Sequence, residues 1–572
     1  MRTEYGILTA HHSMETFQAA GRKAWRHVGF GCLRDPVIAR LLENYEPLYD
    51  PQVVPVETET GYASAGGSKQ QEDIACAPPC CRAIIDSVDG YRQLYLSGIL
   101  TPTEVANVLL PLISRNEFGP PEHSIAFLES NTDKVLEAAA ASTQRYKEKR
   151  SLGPMDGVPT AVEDEYHVHG YRTTLGSRNT HTGARLEDGT NTSWCVRKLE
   201  EAGALVIGKT TMDEYGLDTT GNNPIHGTPR NPFNPQYYTG GSSSGTGYAV
   251  SIGLIPVGLG SDVGGSIRIP ASLCGVFGLK PTHGRVSFEP GQNRSPTCAC
   301  LGPIASDIKS LATVFQIISQ PHPSSPFPPL KPLGLSLPIG SPNILGIPRG
   351  WIERRSTPRV RTLVNGMIDR LVGYGYTTVD INIPFVKQGQ LAHAMTVLAA
   401  AAALLPETRN LTYPSRVLLA LGRVTPERDH VLAQKLRRLL MQHLASLWEK
   451  YPGMLIITPT TACEGLEIRE ERKEMKRGIL DGNRTLQSME YAWLANFCGL
   501  PSISCPVGFV PPNRGLAEMQ VPVGIMATGG WCCEEELLQF GAAVEGLGTT
   551  LRKRPPSWVN VVKMVSDNKA TE

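Results

Sequence analysis

Helical and strand-like hydrophobic patterns follow one another along most of the chain. Apolar residues at helical spacing begin near residue 81, and the tetrapeptide TPTE at 101–104 predicts a helix start. Its threonine would be the N-cap, its proline would occupy the first helical position, and its glutamate would complete a capping box. A second helix is predicted from about Asp133 to Arg150.

Short apolar runs further along the chain predict buried strands, separated by helical segments and glycine-rich turns. The runs are ALVIGKT (204–210), NILGIPRG (343–350), YTTVDINIP (376–384), MLIITPTT (454–461), PSISCPVGF (501–509) and PVGIMATGG (522–530). Strands that alternate with helices in this way are typical of an α/β fold with helices on both faces of a sheet. The sequence therefore predicts an α/β protein.

Three segments stand outside this pattern. Residues 1–80 predict an irregular N-terminal extension, within which GYASAGGSKQQ at 61–71 has the composition of a flexible linker. Residues 319–343 are crowded with proline, serine and glycine, which predicts a surface connection. The apolar run from Val397 to Leu405 is about half the roughly 20 residues that a membrane span needs, so it predicts a buried helix.

Composition and charge narrow the possible partners. The 572 residues are 41% hydrophobic and 19% charged, and 55 basic residues against 54 acidic ones leave a formal charge of +1. This balance gives no electrostatic reason to expect nucleic acid or an anionic membrane as a partner. The 13 cysteines are scattered without CxxC spacing, and the N-terminus lacks the pattern of a signal peptide. We therefore expect reduced thiols in a cytoplasmic protein.

The stretch DGVPTAVEDEYHVHG at 156–170 places two carboxylates and two imidazoles at alternate positions. On a continuous strand, alternate side chains share a face, so these four would line up: Glu163, Glu165, His167 and His169. Such a row is compatible with a metal site or with an acid/base pair. The stretch alone leaves the two interpretations open, although no second cluster completes a metal site.

The region with the most glycine and serine, residues 239–287, is the strongest candidate for chemistry. Apolar runs interrupt its glycines, so a linker is excluded, and it lacks the GxxxxGK[ST] pattern of a phosphate loop. Residues 241–245 match the G-x-S-x-G nucleophile elbow, but that motif needs a preceding strand, and NPFNPQYYT is a poor strand.

The same region resembles a specific family of hydrolases. GGSSSG at 240–245, followed by DVGGSIRIPA at 262–271, resembles the amidase signature family, serine hydrolases that cleave amides through a Ser–cis-Ser–Lys triad. The resemblance covers roughly residues 80–550 and continues through a series of further segments: DGVPTAVED, YRTTLGS, ALVIGKTTMDEYG, GLKPTHGRVS, LGPIASDIKSLATV, YAWLANFCGLPSISCPVG and PVGIMATGG.

The resemblance implies an architecture as well as a reaction. It implies an α/β/α fold whose mixed central sheet is flanked by helices. One domain would span residues 81–560, with a signature core at about 157–287 and a variable substrate-pocket region at about 385–490. Apolar residues in the variable region would make the pocket apolar or form plain helix core: Met395, Leu398, Leu404 and Leu405. No cofactor and no metal are implied.

The resemblance also assigns catalytic roles. Ser266 occupies the nucleophile position, and Ser242 matches the bridging serine, whose preceding peptide bond is cis in the family. Backbone N–H groups of Val263, Gly264, Gly265 and Ser266 would form the oxyanion hole, because glycines at two of these positions let an acyl oxygen approach. Asp262 and Arg268 would support the loop. The predicted substrate-binding residues are Thr220, Gly221, Asn222 and Ser243.

One position departs from the family pattern. The family's GVPVAVKD aligns without a gap on GVPTAVED and places Glu163 where the family has its lysine base. A carboxylate only accepts hydrogen bonds and is ordinarily a weak base, so Glu163 becomes an unusual base candidate. Lys209, in IGKTTMDEYG, is an alternative base, but it matches a lysine that the family carries in addition, so a structural role is favoured.

Four explanations of Glu163 remain open from the sequence. The chain is an amidase-like hydrolase with an unusual base, an enzyme of a different acyl chemistry, a binding protein without turnover, or a chain altered at this residue to trap a complex. Its partner would be a small-molecule amide or acyl compound, and a homodimer is left open. The proline-rich connection and the N-terminal extension are similar to those of fungal-type amidases, including some in specialised metabolism.

Overall fold

The structure is a computed structural model of the chain. It describes residues 25, 29–55, 86–115, 122–181, 191–291, 293–335, 343–405, 409–513 and 518–571. The predicted linker at 61–71 lies outside these residues. Among the described residues, no helix is both long enough and apolar enough to cross a membrane.

Strands from all parts of the chain build one large sheet and one small one. The strands of the large sheet are β1 (Phe127–Glu129), β2 (Pro159–Glu163), β3 (Leu205–Thr210), β5 (Val257–Asp262), β6 (Phe277–Lys280), β7 (Cys300–Ala305), β8 (Ile344–Ile347), β9 (Thr377–Asp380), β10 (Leu455–Pro459), β12 (Ser502–Val510) and β13 (Val521–Thr528). Two further short strands, β4 (Tyr237–Tyr238) and β11 (Leu466–Glu467), pair with each other.

The large sheet is mixed, with its eleven strands in the order β1-β3-β2-β5-β7-β6-β12-β13-β10-β8-β9. Four neighbouring pairs are parallel (β3/β2, β2/β5, β10/β8 and β8/β9) and the others antiparallel. Strands distant in the sequence are therefore neighbours in the sheet.

Helices flank this sheet, which confirms the predicted α/β fold. In the described residues they are α1 (Pro36–Leu42), α2 (Val88–Leu96), α3 (Pro102–Ile113), α4 (Thr132–Lys147), α5 (Trp194–Glu201), α6 (Ser244–Ser251), α7 (Arg268–Leu273), α8 (Ile308–Ile318), α9 (Arg349–Arg355), α10 (Pro358–Gly373), α11 (Val386–Leu404), α12 (Tyr413–Arg423), α13 (Glu427–Lys450), α14 (Glu471–Arg477), α15 (Gly482–Ser488), α16 (Trp493–Phe497), α17 (Glu534–Leu547) and α18 (Val561–Thr571).

Position in the sheet explains the composition of the strands. Every residue of β3, β5, β7 and β13 is buried, and these strands contain mostly apolar or small side chains. A strand covered on both faces has no solvent side, so it lacks the alternation of apolar and polar residues that a half-exposed strand shows. Strand β9 lies at the edge of the sheet, and its sequence TTVD is largely exposed. Polar residues at an edge also hinder pairing with another chain.

All six predicted strand segments contain a strand, although their ends differ from the predicted ones by a few residues. The predicted helix start at 101–104 is confirmed. Helix α3 begins at Pro102, the Thr101 hydroxyl accepts the Glu104 N–H, and the Glu104 carboxylate accepts the Thr101 N–H. Two backbone donors that a helix start leaves unpaired are thereby satisfied. The second predicted helix, α4, begins at Thr132 and ends three residues before the expected Arg150.

The N-terminal extension differs from the predicted irregular segment where it is described. It contains a 3-10 turn, Phe30–Arg34, and helix α1, which packs against α13. The Arg34 guanidinium donates to both carboxylate oxygens of Asp429, whose side chain is buried in α13. An ion pair between the extension and a distant helix cannot be read from a local pattern, because its partners are 395 residues apart.

Two parallel neighbours in the sheet bring Glu163 and one acid of the glycine-rich region, Asp262, to the same edge. Strands β2 and β5 pair in parallel, with Val162 opposite Leu259. Glu163 is the last residue of β2, and Asp262 is the last residue of β5. The carboxyl ends of parallel neighbours meet at the same sheet edge, which is where α/β sheets bind ligands. The topology therefore brings two carboxyl groups and the serine-rich loops to one place.

The capping box predicts a measurable contribution to stability. We expect Thr101→Ala to lower the free energy of unfolding by about 1 kcal/mol, because the Glu104 N–H loses its acceptor at the start of α3. Urea denaturation followed by circular dichroism measures the change. Thr362→Ala is the matched control, since Thr362 is an exposed residue inside α10 with no capping role. An equal loss in both variants would contradict this account of the helix start.

Candidate active site

The serine-rich loop enters helix α6 directly after a cis peptide bond between Gly241 and Ser242. Gly241 packs against the carboxyl group of Asp213, so a side chain at position 241 has no room. The Ser242 side chain is buried, and its hydroxyl donates to Glu163 Oε1 at 3.0 Å. The structure therefore brings together the serine and the acid that the family resemblance assigned to one triad.

Glu163 is fully buried and is surrounded by hydrogen-bond donors. Besides Ser242, the Ser243 hydroxyl lies 2.9 Å from Oε2, and the Ser261 N–H donates to the same oxygen at 2.5 Å. A backbone N–H can only donate, so Oε2 must remain an acceptor. When the carboxyl group is protonated, its proton therefore belongs on Oε1, which faces Ser242.

The surroundings of Glu163 favour this protonated form. Burial, together with the nearby Glu165 carboxylate, raises the pKa of Glu163 to about 8, against the opposing effect of its hydrogen bonds. Glu165 itself lies 3.7 Å from the Arg294 guanidinium. Because no cation contacts Glu163 among the described residues, burial dominates. A pKa in this range is one that general acid–base catalysis can use.

The second carboxylate at this edge has the opposite environment. Asp262 receives two hydrogen bonds from the Arg268 guanidinium, at 3.0 and 2.9 Å, and one from the Asn496 amide at 2.9 Å. Burial acts to raise the pKa of Asp262, but the Arg268 charge and these hydrogen bonds hold it well below its usual range. Asp262 is therefore a permanent buried anion that fixes the loop that follows it.

Asp262 also orders the backbone of the predicted oxyanion loop. Its carboxylate accepts the N–H groups of Gly265 at 2.7 Å and of Ile267 at 3.1 Å. The Gly265 N–H is therefore occupied in this structure, whereas those of Val263, Gly264 and Ser266 find no acceptor among the described residues. Gly265 has a φ of 120°, a left-handed conformation that favours glycine.

Ser266 lies in the turn between β5 and α7 and is 2% exposed. Its carbonyl oxygen accepts the Ser243 N–H at 3.2 Å, so a backbone hydrogen bond joins the two serine loops. The structure thus places the predicted nucleophile and the predicted bridging serine on adjacent loops at one sheet edge.

The predicted substrate-binding residues occupy two different environments. The Gly221 N–H donates to Asp213, and Gly221 packs against the carbonyl of Gly240, so residues 219–222 lie against the serine loop. Thr220 donates to Asp218, and the Asn222 amide donates to the Glu474 carbonyl.

Ser243 is buried like the other three, but it differs in its partner, because its hydroxyl donates to Glu163. The Ser243 hydroxyl is therefore already paired within the protein, next to Glu163. The sequence analysis grouped Ser243 with the substrate-binding residues, because the direction of its side chain cannot be read from the sequence.

The row of alternating acids and histidines is not a continuous strand face. Strand β2 ends at Glu163, and Glu165, His167 and His169 follow in turns. Each has its own protein contact: Glu165 faces Arg294, and the backbone N–H groups of both histidines donate to hydroxyls of residues 192 and 193. Among the described residues, no group of three or more metal-binding side chains is found.

Lys209 has contacts that suit a structural role. Its ammonium is fully buried, lies 3.1 Å from Asp164, and donates to the carbonyl oxygens of Tyr166 and Arg172 and to the Thr173 hydroxyl. Burial lowers the pKa of Lys209, against the effect of Asp164. All of these partners belong to the segment that follows β2, so the lysine ties β3 to that segment.

Asp213 is a site residue that the sequence analysis missed. It is buried, its Oδ2 accepts the Gly221 N–H at 3.0 Å, and its Oδ1 has no hydrogen-bond partner among the described residues. Burial raises the pKa of Asp213 well above its usual range, and the neighbouring acid Asp218 adds to the shift. The sequence feature that could have identified Asp213 is its place in TTMDEYG, three residues after a predicted buried strand. An acid there lies close to the sheet edge that the glycine-rich loops occupy.

A small apolar cluster, which we call the side cluster, includes Tyr215, the residue before Gly216. Gly216, next to Tyr215, approaches Ser242 closely enough that a Cβ there would be 3.7 Å from its hydroxyl oxygen. The side cluster comprises Leu175, Tyr215, Ala401, Ala402, Leu405, Leu411 and Leu419. Of the predicted pocket residues, only Leu405 belongs to it. Met395 and Leu398 belong to the main core, and Leu404 is exposed.

Comparison with known proteins establishes the family. A family model described as Amidase matches residues 121–538, so the chain belongs to the amidase family. It is an amidase-family hydrolase that acts on amides. The matched range lies inside the predicted domain at 81–560, whose exact limits stay a prediction.

Individual relatives agree with this assignment. The chain is 33% identical over 488 residues to a fatty acid amide hydrolase of Medicago truncatula, covering 82% of this chain and 78% of the relative. It is 30% identical over 541 residues to a fatty acid amide hydrolase of Arabidopsis thaliana, covering 89% and 86%. A solved structure of 6-aminohexanoate cyclic dimer hydrolase shares its fold, with a TM-score of 0.70, 23% identity and coverage of 83% and 99%.

The raised pKa of Glu163 predicts a pH-dependent gain in stability when its charge is removed. The pKa of this carboxyl group is near 8 in the folded chain and near 4.5 in the unfolded chain. Its ionisation therefore lowers the free energy of unfolding progressively as the pH rises between these two values. We expect Glu163→Gln to match the parent chain at pH 5 and to exceed its free energy of unfolding at pH 9 by on the order of 3–5 kcal/mol.

Denaturant titrations at the two pH values measure this difference. Glu148→Gln is the control, because Glu148 is exposed and titrates below this pH window. A Glu163→Gln variant that is no more stable at pH 9 than at pH 5, relative to the parent chain, would show that Glu163 is ionised without penalty.

Proposed function

We propose that the protein hydrolyses a small-molecule amide with Ser266 as nucleophile, Ser242 as proton relay and Glu163 as general base. The observation that carries this proposal is the 3.0 Å hydrogen bond from Ser242 to Glu163 Oε1 inside a buried site. In the family pattern a lysine occupies position 163. Here a carboxyl group with a pKa near 8 offers a comparable exchange of a proton near neutral pH.

The proposed acylation step moves two protons and one acyl group. The Glu163 carboxylate takes the Ser242 hydroxyl proton on Oε1. Ser242 in turn takes the proton of Ser266 while the Ser266 oxygen bonds to the amide carbon. When the carbon–nitrogen bond breaks, Glu163 returns a proton through Ser242 to the leaving amine. Water then repeats the sequence on the acyl-enzyme, which releases a carboxylic acid and restores Ser266.

The loop that carries Ser266 supplies donors for the negative charge that develops on the acyl oxygen. The N–H groups of Val263, Gly264 and Ser266 have no acceptor among the described residues and lie in consecutive or nearly consecutive positions. Preorganised backbone donors of this kind stabilise a tetrahedral intermediate. The Gly265 N–H, predicted to join them, is bound to Asp262, so we assign the oxyanion role to the other three.

The side cluster supports an uncharged, apolar acyl group as substrate. Its members are buried leucine, alanine and tyrosine side chains, and one of them, Tyr215, precedes Gly216, which approaches Ser242. The similarity to a fatty acid amide hydrolase agrees with this choice. We infer no cofactor or metal in the reaction. A cytoplasmic location, a homodimer and a role in specialised metabolism stay predictions.

A second candidate function is a silenced amidase that binds its ligand without normal turnover. The observation that favours it is the acid at position 163: at pH 7 a carboxyl group with a pKa near 8 is mostly protonated, and a protonated acid cannot accept the serine proton. Under this alternative, activity would require a stronger base at position 163.

The proposed base predicts the pH dependence of the reaction. Because only the ionised Glu163 can accept a proton, we expect kcat/KM for an amide substrate to rise about tenfold per pH unit below pH 8 and to level off above it. Steady-state kinetics between pH 5.5 and 9.5, with stability checked at each pH, measure the profile. A profile that is flat across this range would remove Glu163 from the proton transfer.

Covalent labelling separates the two candidate functions. We expect a fluorophosphonate to label the parent chain, as detected by intact mass, and to leave Ser266→Ala unlabelled. We expect Glu163→Gln to be labelled at least 100-fold more slowly, since loss of a positioned base typically costs about 10²- to 10⁴-fold.

Glu163→Lys is the variant that tests the silenced alternative. If only this variant reacts, the scaffold is intact but switched off in the parent chain. If none of the chains reacts, the assignment of Ser266 as nucleophile is wrong.

A further inference from the structure

A buried histidine outside the proposed triad contacts the loop that carries the oxyanion donors. His393 lies near the middle of α11 and is 1% exposed. Its Nε2 is 2.8 Å from the carbonyl oxygen of Val263, which is 130 residues away in the sequence. This is a side-chain hydrogen bond to the backbone of the loop itself.

The contact fixes the tautomer of the ring. A carbonyl oxygen can only accept, so Nε2 must carry the proton and donate it. Nδ1 is buried and has no hydrogen-bond partner among the described residues. Burial lowers the pKa of His393 to about 4, so the ring stays neutral over the working range of the proposed reaction. His393 therefore serves as a fixed neutral donor and does not exchange protons with the triad.

The hydrogen bond from His393 sets the direction of a backbone N–H group that we assign to the oxyanion hole. In a trans peptide the C=O of one residue and the N–H of the next point in opposite directions. When His393 holds the Val263 carbonyl on its own side, the Gly264 N–H points away from His393. That N–H is one of the three donors without an acceptor among the described residues.

Packing holds the ring and the loop together. A Cβ placed on Gly264 would lie 3.0 Å from the His393 ring and 2.6 Å from the end of Met489, so the loop backbone lies directly against both side chains. On another side, Phe497 meets the imidazole edge to face, with ring centres 6.2 Å apart. The imidazole therefore has little freedom to leave the Val263 carbonyl.

We propose that His393 is a positioning residue that orients the Val263–Gly264 peptide so that the Gly264 N–H faces the acyl oxygen. The inference deepens the proposed function and depends on it for its kinetic consequences. The hydrogen bond to Val263 and the close packing on Gly264 carry it. No contact of His393 with substrate is implied.

Two substitutions test the donor separately from the ring. His393→Phe keeps a planar ring but removes the donor, whereas His393→Gln keeps an N–H donor at about the distance of Nε2. We expect His393→Phe to lower kcat about 10- to 100-fold with KM within about threefold, because an oxyanion donor acts mainly in the transition state. His393→Gln should recover most of the loss.

His123→Phe is the matched control. His123 is another buried histidine, and it contacts the Tyr248 hydroxyl rather than the loop. We expect its kcat to remain close to that of the parent chain. Equal losses in His393→Phe and His123→Phe would show a general effect of removing a buried histidine and would overturn the inference.

Hydrogen exchange provides a readout that does not depend on activity. Mass spectrometry of the peptide that covers residues 262–267 should show faster exchange in His393→Phe than in the parent chain, His393→Gln or His123→Phe. Unchanged exchange in His393→Phe overturns the positioning role, whatever the kinetics show. If the parent chain has no reactive Ser266, the proposed function fails, and the exchange experiment still decides whether His393 orders the loop.

Discussion

Two buried carboxyl groups at the ends of adjacent parallel strands hold the candidate site together. Glu163 ends β2 and Asp262 ends β5, and the residue before Asp262 donates its N–H to Glu163. The serine loop and the loop that carries Ser266 are each attached to one of these acids. Without the two acids, the buried N–H and hydroxyl groups around them would lose their acceptors, at a cost of about 1–3 kcal/mol for each group.

The same two acids differ in charge because their neighbours differ. Asp262 has a guanidinium and an amide within hydrogen-bonding distance, and it stays ionised. Glu163 has only neutral donors among the described residues, and the buried ammonium of Lys209 is paired with Asp164 instead. Burial therefore favours the neutral form of Glu163, whereas the Arg268 charge keeps Asp262 an anion. The proposed reaction needs one fixed anion and one group that exchanges protons, and two similar side chains in different environments would supply both.

Much of the fold was predictable because its signals are local. The capping box before α3 and the buried strands depend on residues within a few positions of one another. The positions of Glu163, Ser242 and Ser266 at one edge followed from the family resemblance. The direction of Ser243 was not predictable, because the choice between Glu163 and a substrate depends on a contact between residues 80 positions apart. The alternating acids and histidines do not share one face for a local reason: β2 ends at Glu163, and the segment that follows breaks the alternation.

Helix α11 explains why the sequence alone did not identify His393 and the apolar residues near it. A histidine in the run LAHAMTVLAAAAAL looks like an ordinary core residue, and only the fold shows that its ring meets Val263. Two turns later, Ala401 and Ala402 of the same helix belong to the side cluster. Eight residues of helix span about 12 Å, so one rigid element connects the side cluster to the oxyanion loop. A substitution that shifts α11 would therefore move both the side cluster and the His393 ring that meets Val263, so that under the proposed function a change in acyl selectivity would also change the rate of the reaction.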